Sequence, residues 1–274
     1  MFQERLLSDD KRASRTLRRA QKRLKAVGRG AENALHILRK GRLGAPYQAD
    51  HEVVFEKGFL RLRHYAGRSR TSAHAGTALL IPPLMVTAEI YDISPELSSV
   101  TFLVEAGLDV WGVDFGSPEE EQGGMERTLD EHILAIDRAI DEVVARTQEP
   151  VHLIGYSQGG MFAYQVAAYR RSESVGSIIT FGSPVDMRRN LPLRINDTLA
   201  ERVLSVARDS IKAPLDELKG LPGTLTSAGF KLLAPKQEMR HLISMLGLLH
   251  DKKAYAEAEP RRRFLGGEGF IAWP

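Results

Sequence analysis

The sequence contains no cysteine. Disulfides, thiolate zinc sites and a thiol nucleophile are therefore excluded, and the absence favours a reducing compartment. No apolar run reaches the roughly 20 residues needed to cross a bilayer. The first residues, MFQERLLSDDKR, contain no apolar core followed by a small-residue cleavage site, so they do not read as a secretory signal. Together these absences predict a cytoplasmic protein.

Charge is unevenly distributed along the 274 residues. Residues 1–45 hold 13 lysines and arginines against 4 acidic residues, a formal charge of +9, so the remainder carries −6 of the total +3. Within this arm an apolar helical stripe recurs at steps of four and three, namely Ala13, Leu17, Ala20, Leu24 and Val27. Gly28 and Gly30 are expected to end this helix. The stripe packs on the protein's own body, or it docks on an anionic membrane, a lipid inclusion or a partner. Nucleic acid is not expected, because no reader motif accompanies the charge.

The middle of the chain alternates between short strands and helices. The runs HEVVFEK and FLRLRHY, joined at Gly58, predict an antiparallel hairpin. After them come four apolar strands, TALLIPP, LDVWGVDFG, VHLIGYS and GSIITFGSP, with amphipathic helices between them. One helix opens with a capping box formed by Thr128 and Glu131. This alternation predicts an α/β protein with a mostly parallel sheet that is covered by helices on both faces.

Strand signals stop after Pro184. A second capping box, Thr198 with Glu201, precedes a helix, and KQEMRHLISMLGLLHD is a further amphipathic segment. The sequence thus predicts a basic arm over 1–45, an α/β core over 46–190, a helical cap over 191–265 and a return to the core over 266–274. In the last segment, GFIAW is the one candidate strand.

The pattern Gly155-Tyr156-Ser157-Gln158-Gly159 lies between a predicted strand and a predicted helix. A serine at such a turn is held in strained backbone geometry, and glycines two before and two after it leave room for the neighbouring elements. In this setting G-x-S-x-G is typical of a nucleophile elbow, which indicates acyl transfer through Ser157. The alternative is a tight structural turn with an incidental serine.

Acyl transfer also needs donors for the negative oxygen that forms in the transition state. The amide of Gln158 follows the nucleophile at a helix N-terminus and is the first candidate. The second donor is expected in the loop after TALLIPP, from Leu84 or Met85, with Leu84 preferred.

The stretch LLIPPLMVTAEIYDISPELSSVTFLVEAGLDVWGVDFGSP, followed by GYSQGG, resembles the polyhydroxyalkanoate synthase branch of the α/β-hydrolase superfamily. The likeness covers roughly residues 45 to 190 and implies an α/β-hydrolase fold. In that branch a basic leader serves partner contacts, and a helical insertion forms an active-site cap. The polymerising synthases carry cysteine at the elbow, where this chain has Ser157. The resemblance therefore implies a hydrolase, thioesterase or acyltransferase acting on acyl or hydroxyacyl esters or thioesters, with acyl-CoA among them, rather than processive polyester synthesis.

The base and the acid of a catalytic triad are not evident. The superfamily order is serine, acid, histidine, and the histidines after Ser157 are His241 and His250, both in the predicted insertion. Asp186, just past the fourth apolar strand, is the candidate acid. The sequence favours the interpretation that the last strands of the sheet, with their acid and histidine loops, lie outside this chain. They would belong to a longer polypeptide or to a second chain that completes the sheet.

The sequence is compatible with two functions. The first is an acyl-transfer enzyme without cofactor or metal. The second is a non-catalytic protein of the same fold whose basic arm docks on a lipid inclusion, a membrane or a partner enzyme. Nucleotide binding is disfavoured, because the chain has neither G-x-G-x-x-G nor a P-loop lysine.

Overall fold

The computed structural model describes residues 2–44, 47–65, 74–186, 196–218, 220–233 and 235–274, with side chains in the first helix from Arg18 onward. The chain forms two compact units. The first unit comprises Met1–Pro46 and Ala234–Arg262, and the second comprises Tyr47–Leu233 and Arg263–Pro274. This division runs through the segment 191–265, so the cap boundaries drawn from the sequence stay a prediction.

The second unit is built on one mixed sheet. Its described strands are β1 (His51–Lys57), β2 (Leu60–Tyr65), β3 (Thr77–Ile81), β4 (Asp109–Asp114), β5 (Val151–Tyr156) and β6 (Val175–Phe181). Their order is β1-β2-β4-β3-β5-β6. β1 and β2 pair antiparallel, as do β2 and β4, and the remaining pairs are parallel. The predicted hairpin and the predicted parallel sheet are confirmed.

Helices cover both faces of the sheet. The helices of this unit are α2 (Ser99–Glu105), α3 (Leu129–Thr147), α4 (Gln158–Tyr169), α5 (Asp197–Leu218) and α6 (Gly223–Leu233). α3 and α4 pack on one face around Ile136, Ile140 and Phe162, and α2 packs on the other around Val100 and Val104. β3 is buried at all five positions because it lies between these two layers.

The first unit contains α1 (Phe2–Lys40), α7 (Pro235–Leu248) and α8 (Lys252–Arg263). The predicted helix end at Gly28 and Gly30 is wrong, since α1 continues for ten residues past Gly30. At Gly30 the backbone of Leu249 and His250 lies 3.8 to 3.9 Å from where a Cβ would stand. Asn33 Nδ2 donates to Leu249 O at 2.7 Å. Gly30 is therefore a packing position rather than a helix terminator.

The apolar stripe of α1 is not covered by the chain itself where side chains are described. Leu24 is 75% exposed and Val27 is 70% exposed, so own-body packing of this stripe is wrong at these two positions. Ala13 and Leu17 lie outside the described side chains. The half-buried face is a different one, formed by Ala26, Gly30, Asn33, Ala34 and Ile37.

Of the two predicted capping boxes, the structure contains one. The capping box at Thr128 and Glu131 is confirmed, with both reciprocal hydrogen bonds present. The second box is wrong, because the helix α5 begins at Asp197 and Asn196 Oδ1 accepts from Leu199 N at 2.8 Å. Thr198 thus lies inside the helix, and Asn196 caps it.

The segment GFIAW forms no strand of the sheet. It makes isolated antiparallel bridges instead, Val86 with Phe270 and Leu221 with Trp273. β6 is an edge strand in the described residues, and Ile178, Ile179 and Phe181 are 40%, 41% and 56% exposed. Among the described helices none combines the length and apolar character that crossing a bilayer requires.

Candidate active site

Ser157 lies at the junction of β5 and α4. Its backbone has φ 53° and ψ −120°, a conformation that non-glycine residues seldom adopt and that costs on the order of 1–3 kcal/mol. Ser157 N donates to Phe181 O at 2.7 Å, which fixes the turn against the end of β6. The residue is half-buried, and its hydroxyl makes no hydrogen bond within the described part of the chain.

The glycines around Ser157 lie where any side chain would clash with neighbouring atoms. A Cβ on Gly155 would lie 2.4 Å from the backbone of Gly159, and one on Gly159 would lie 1.9 Å from Ile81 O. A Cβ on Gly160 would lie 1.9 Å from Ser183 Oγ. Backbone atoms cannot move aside as a flexible side chain can, so at Gly155 and Gly159 the strand and the helix approach this closely only because these residues have no Cβ. We call Gly155–Gly160 the Ser157 turn.

The loop after β3 lies beside the Ser157 turn. Gly159 contacts Ile81 and Pro82, so the first turn of α4 is held against this loop. Leu84 is buried, and its N–H donates to Gln158 Oε1 at 3.3 Å. The two amides predicted as oxyanion donors, those of Gln158 and Leu84, thus belong to adjoining segments. Their role stays a prediction.

The loop after β3 is also held from its far side by the end of the chain. Thr87 N donates to Gly269 O at 2.9 Å, and Ile271 N donates to Met85 O at 3.1 Å. The predicted return of residues 266–274 therefore contacts the loop that carries Leu84, rather than extending the sheet.

Tyr91 was not singled out from the sequence, yet its hydroxyl lies under the Ser157 turn. It ends a 3₁₀ turn, Ala88–Tyr91, and is 7% exposed. Its oxygen accepts from Tyr156 N at 2.8 Å and donates to Ile81 O at 2.8 Å. Burial raises the pKa of this phenol. A tyrosine in an apolar loop is a weak signal, because nothing in sequence spacing connects it to a turn 65 residues later.

The candidate acid and the candidate bases of the triad belong to different units of the chain. Asp186 follows β6 and is half-buried. His241 lies exposed on α7, and His250 Nδ1 lies 2.8 Å from Gly247 O, both in the first unit. The triad assignment therefore remains a prediction for all three residues.

Other ionisable groups near the sheet have structural partners. His152 Nδ1 lies 2.8 Å from Ser177 Oγ. Asp114, at the end of β4, accepts from Gly116 N at 2.9 Å and pairs with Arg63. Burial opposes the charge of Arg63, but Asp114 and Glu89 raise its pKa overall. The described residues contain no group of three or more side chains that could hold a metal ion.

Several proteins of known identity are similar to this chain in sequence. No protein-family model matches the chain. The poly(3-hydroxyalkanoate) polymerase subunit PhaC of Haloferax mediterranei is 30% identical over 194 residues, covering 68% of this chain and 36% of that protein. The subunit of the same name from Allochromatium vinosum is 27% identical over 228 residues, covering 82% of this chain and 60% of that protein. The chain therefore spans less than two thirds of either relative.

Among solved structures, MenH from S. aureus aligns with a TM-score of 0.42 at 15% identity, over 77% of this chain and 71% of that one. The sequence relatives are polymerases of one family, and the mostly parallel sheet and the sharp turn from strand to helix at Ser157 agree with that family. The chain is a member of the α/β-hydrolase superfamily, in its polyhydroxyalkanoate synthase-like branch.

Proposed function

We propose that this chain is a serine-dependent acyl-transfer enzyme with Ser157 as the nucleophile. The observation that carries the proposal is the backbone of Ser157, at φ 53° and ψ −120° between β5 and α4. A strained residue persists only where its surroundings hold it, and the glycines at 155, 159 and 160 provide that close packing. The relatives named as polymerases are consistent with acyl chemistry.

The proposed reaction begins with attack of Ser157 Oγ on the carbonyl carbon of an acyl ester or thioester. A general base takes the hydroxyl proton, and the carbonyl oxygen becomes an oxyanion near the amides of Gln158 and Leu84. Each such donor is worth about 3 kcal/mol in the transition state. The alcohol or thiol leaves with a proton, and water or another acceptor then removes the acyl group from Ser157. Asp186 is the proposed acid, and the base is not assigned.

The substrates we propose are fatty acyl or hydroxyacyl esters and thioesters, acyl-CoA among them. The relatives are named poly(3-hydroxyalkanoate) polymerases. Serine in place of a thiol nucleophile favours hydrolysis, thioester cleavage or a single acyl transfer over processive polymerisation. No cofactor takes part in this scheme.

A phosphonate probe that reacts covalently with activated serines tests the proposal. We expect mass spectrometry to find the label on Ser157 and to find none in Ser157→Ala. Ser177→Ala is the matched control, because Ser177 also lies in the second unit and its hydroxyl is 2.8 Å from His152. Labelling that persists in Ser157→Ala would contradict the proposal.

A second function, docking through α1, is favoured by the exposed apolar stripe of that helix. Leu24 and Val27 of the stripe are 75% and 70% exposed, and Leu38, further along the same face of α1, is 83% exposed. The arm also carries the formal charge of +9. An apolar stripe flanked by cations suits a surface of anionic lipid, where the side chains enter the acyl boundary and the cations meet the headgroups.

Flotation with vesicles separates this second function from the first. We expect the chain to float with vesicles that contain phosphatidylglycerol and not with pure phosphatidylcholine. The double variant Leu24→Ser/Leu38→Ser should lose most of the bound fraction. Leu232→Ser, which changes a leucine 78% exposed on α6, should not. Equal binding of both variants would contradict docking by the stripe.

A further inference from the structure

The hydroxyl of Tyr91 stands between two strands at the point where they approach the Ser157 turn. We propose that Tyr91 is a positioning residue, whose hydroxyl sets the spacing between the ends of β3 and β5 and so aligns Ser157 with the Leu84 amide. This inference rests on the proposed function of Ser157, but it also makes a structural statement that can be tested separately.

The hydrogen bonds of Tyr91 place its oxygen between a donor and an acceptor on different strands. Tyr156 N, on β5, donates to the oxygen at 2.8 Å, and the oxygen donates to Ile81 O, on β3, at 2.8 Å. A longer approach, 3.3 Å, joins it to Ile154 O. A phenol has one proton, so the shorter contact with Ile81 is the one it satisfies best.

The parallel pairing of β3 with β5 ends next to the Tyr91 hydroxyl. The last paired residues are Ile81 and Gly155. One residue further on, Tyr156 N meets the Tyr91 oxygen. At this point the Tyr91 hydroxyl bridges β3 and β5 in place of a direct backbone hydrogen bond between them. The size of the oxygen atom therefore sets the distance between the two strand ends.

Both segments held by this oxygen lead directly into the candidate site. Tyr156 immediately precedes Ser157, and Ile81 is three residues before Leu84. Ile81 O also lies against Gly159, the other side of the Ser157 turn. A shift of β3 relative to β5 thus changes the distance from the Ser157 oxygen to the Leu84 amide, and misplacement by about 1 Å can cost a hundredfold in rate.

The environment keeps Tyr91 in the state this role requires. The side chain is 7% exposed, and burial raises the pKa of its phenol. A tyrosine phenol is neutral near pH 7 even without this shift, so the group acts as donor and acceptor together. Its ring packs with Leu80, Val100 and Ile154 in the core on the α2 face of the sheet, which fixes where the oxygen lies.

Tyr91→Phe removes the oxygen and keeps the ring, and Tyr164→Phe is the matched control. Tyr164 Oη donates to Pro184 O at 2.7 Å, so this control loses one hydrogen bond to a carbonyl outside the Ser157 turn. In both variants the kinetics of phosphonate labelling are measured over a range of probe concentrations, which separates probe affinity from the labelling rate constant. Amide hydrogen exchange of the parent and both variants is measured in parallel.

We expect Tyr91→Phe to lower the labelling rate constant at least tenfold with unchanged probe affinity and final labelled fraction, and Tyr164→Phe to change it less than twofold. A role confined to stability would reduce the labelled fraction and leave the rate constant of the folded molecules alone. We also expect exchange at the Tyr156 amide to rise more than tenfold in Tyr91→Phe, with Leu153 unchanged.

The outcomes keep the two proposals apart. A parent chain labelled at Ser157 whose rate constant is unaffected by Tyr91→Phe overturns the positioning role and leaves the proposed function intact. A parent chain that is not labelled contradicts the proposed function, and protection of the Tyr156 amide then decides whether Tyr91 holds the turn. If the Tyr156 amide is equally protected in Tyr91→Phe, Tyr91 does not hold the Ser157 turn, and the positioning role is overturned as well.

Discussion

At the scale of single residues, Gly159 is among the tightest positions of the Ser157 turn, since a Cβ there would lie 1.9 Å from Ile81 O. We expect Gly159→Ala to lower the free energy of unfolding by about 3 kcal/mol, because two backbone segments must separate to admit the methyl group. Urea unfolding measures this change. Gly229→Ala on α6 is the control, since its Cβ meets nothing within 4 Å, and it should stabilise the helix by up to about 1 kcal/mol. Equal effects of the two substitutions would contradict the packing argument.

His132 makes stability depend on pH. It is fully buried on α3 beside Phe59, Phe115 and Phe162, and its Nε2 has no hydrogen-bond partner among the residues that the structure describes. Burial lowers its pKa below the ordinary 6.5. As pH falls below about 6.5 the unfolded chain binds a proton that the folded chain does not, so stability falls until the folded-state pKa is reached.

Urea unfolding between pH 7.5 and pH 5 measures this dependence. One proton contributes at most about 1.4 kcal/mol per pH unit. We expect His132→Phe to flatten the pH dependence, whereas His250→Gln, at an exposed histidine, should leave it unchanged. A parent stability that does not fall between pH 6.5 and pH 5 is incompatible with a neutral buried His132.

At the scale of elements, α3 begins at a reciprocal capping box. Thr128 Oγ1 accepts from Glu131 N at 3.3 Å, and Glu131 Oε2 accepts from Thr128 N at 2.7 Å. We expect Thr128→Ala to lower the free energy of unfolding by about 1 kcal/mol, measured by urea unfolding. Thr147→Ala, at the other end of α3, removes a bond to Val143 O and a long bond of 3.4 Å from Glu149 N, and it should cost less. A Thr128→Ala cost no larger than that of Thr147→Ala would speak against the cap.

The same element scale shows where sequence patterns suffice. The apolar runs of β3, β4 and β5 and the capping box of α3 were predicted because each signal lies within one element. The cap of α5 was misassigned to Thr198, since Thr198 with Glu201 has the spacing of a capping box. Asn196 is an N-cap residue only by type, and the backbone path selects it. The end of α1 was misplaced because Gly30 terminates a helix in isolation but admits close packing against Leu249 and His250.

At the scale of the whole molecule, β6 is an edge strand with exposed apolar side chains as far as the described strands go. Exposed edges of this kind pair with other chains. We expect sedimentation velocity to show association that increases with concentration, and Ile179→Lys to reduce it. Leu134→Lys is the control, because Leu134 is 48% exposed on α3 and away from the edge. A single monomeric species at every concentration would contradict this expectation.

The sequence by itself determined the alternation of strands and helices, the parallel sheet and the glycine-framed turn at Ser157. These follow from periodicity and from steric requirements between residues that are close in the chain. Only the tertiary structure decided that the Tyr91 hydroxyl bonds to the backbone at the Ser157 turn, and that residues 269–271 bond to the loop after β3. It also decided that Leu24 and Val27 are exposed. Each of these depends on which distant segments share a surface, and local sequence patterns do not encode that choice.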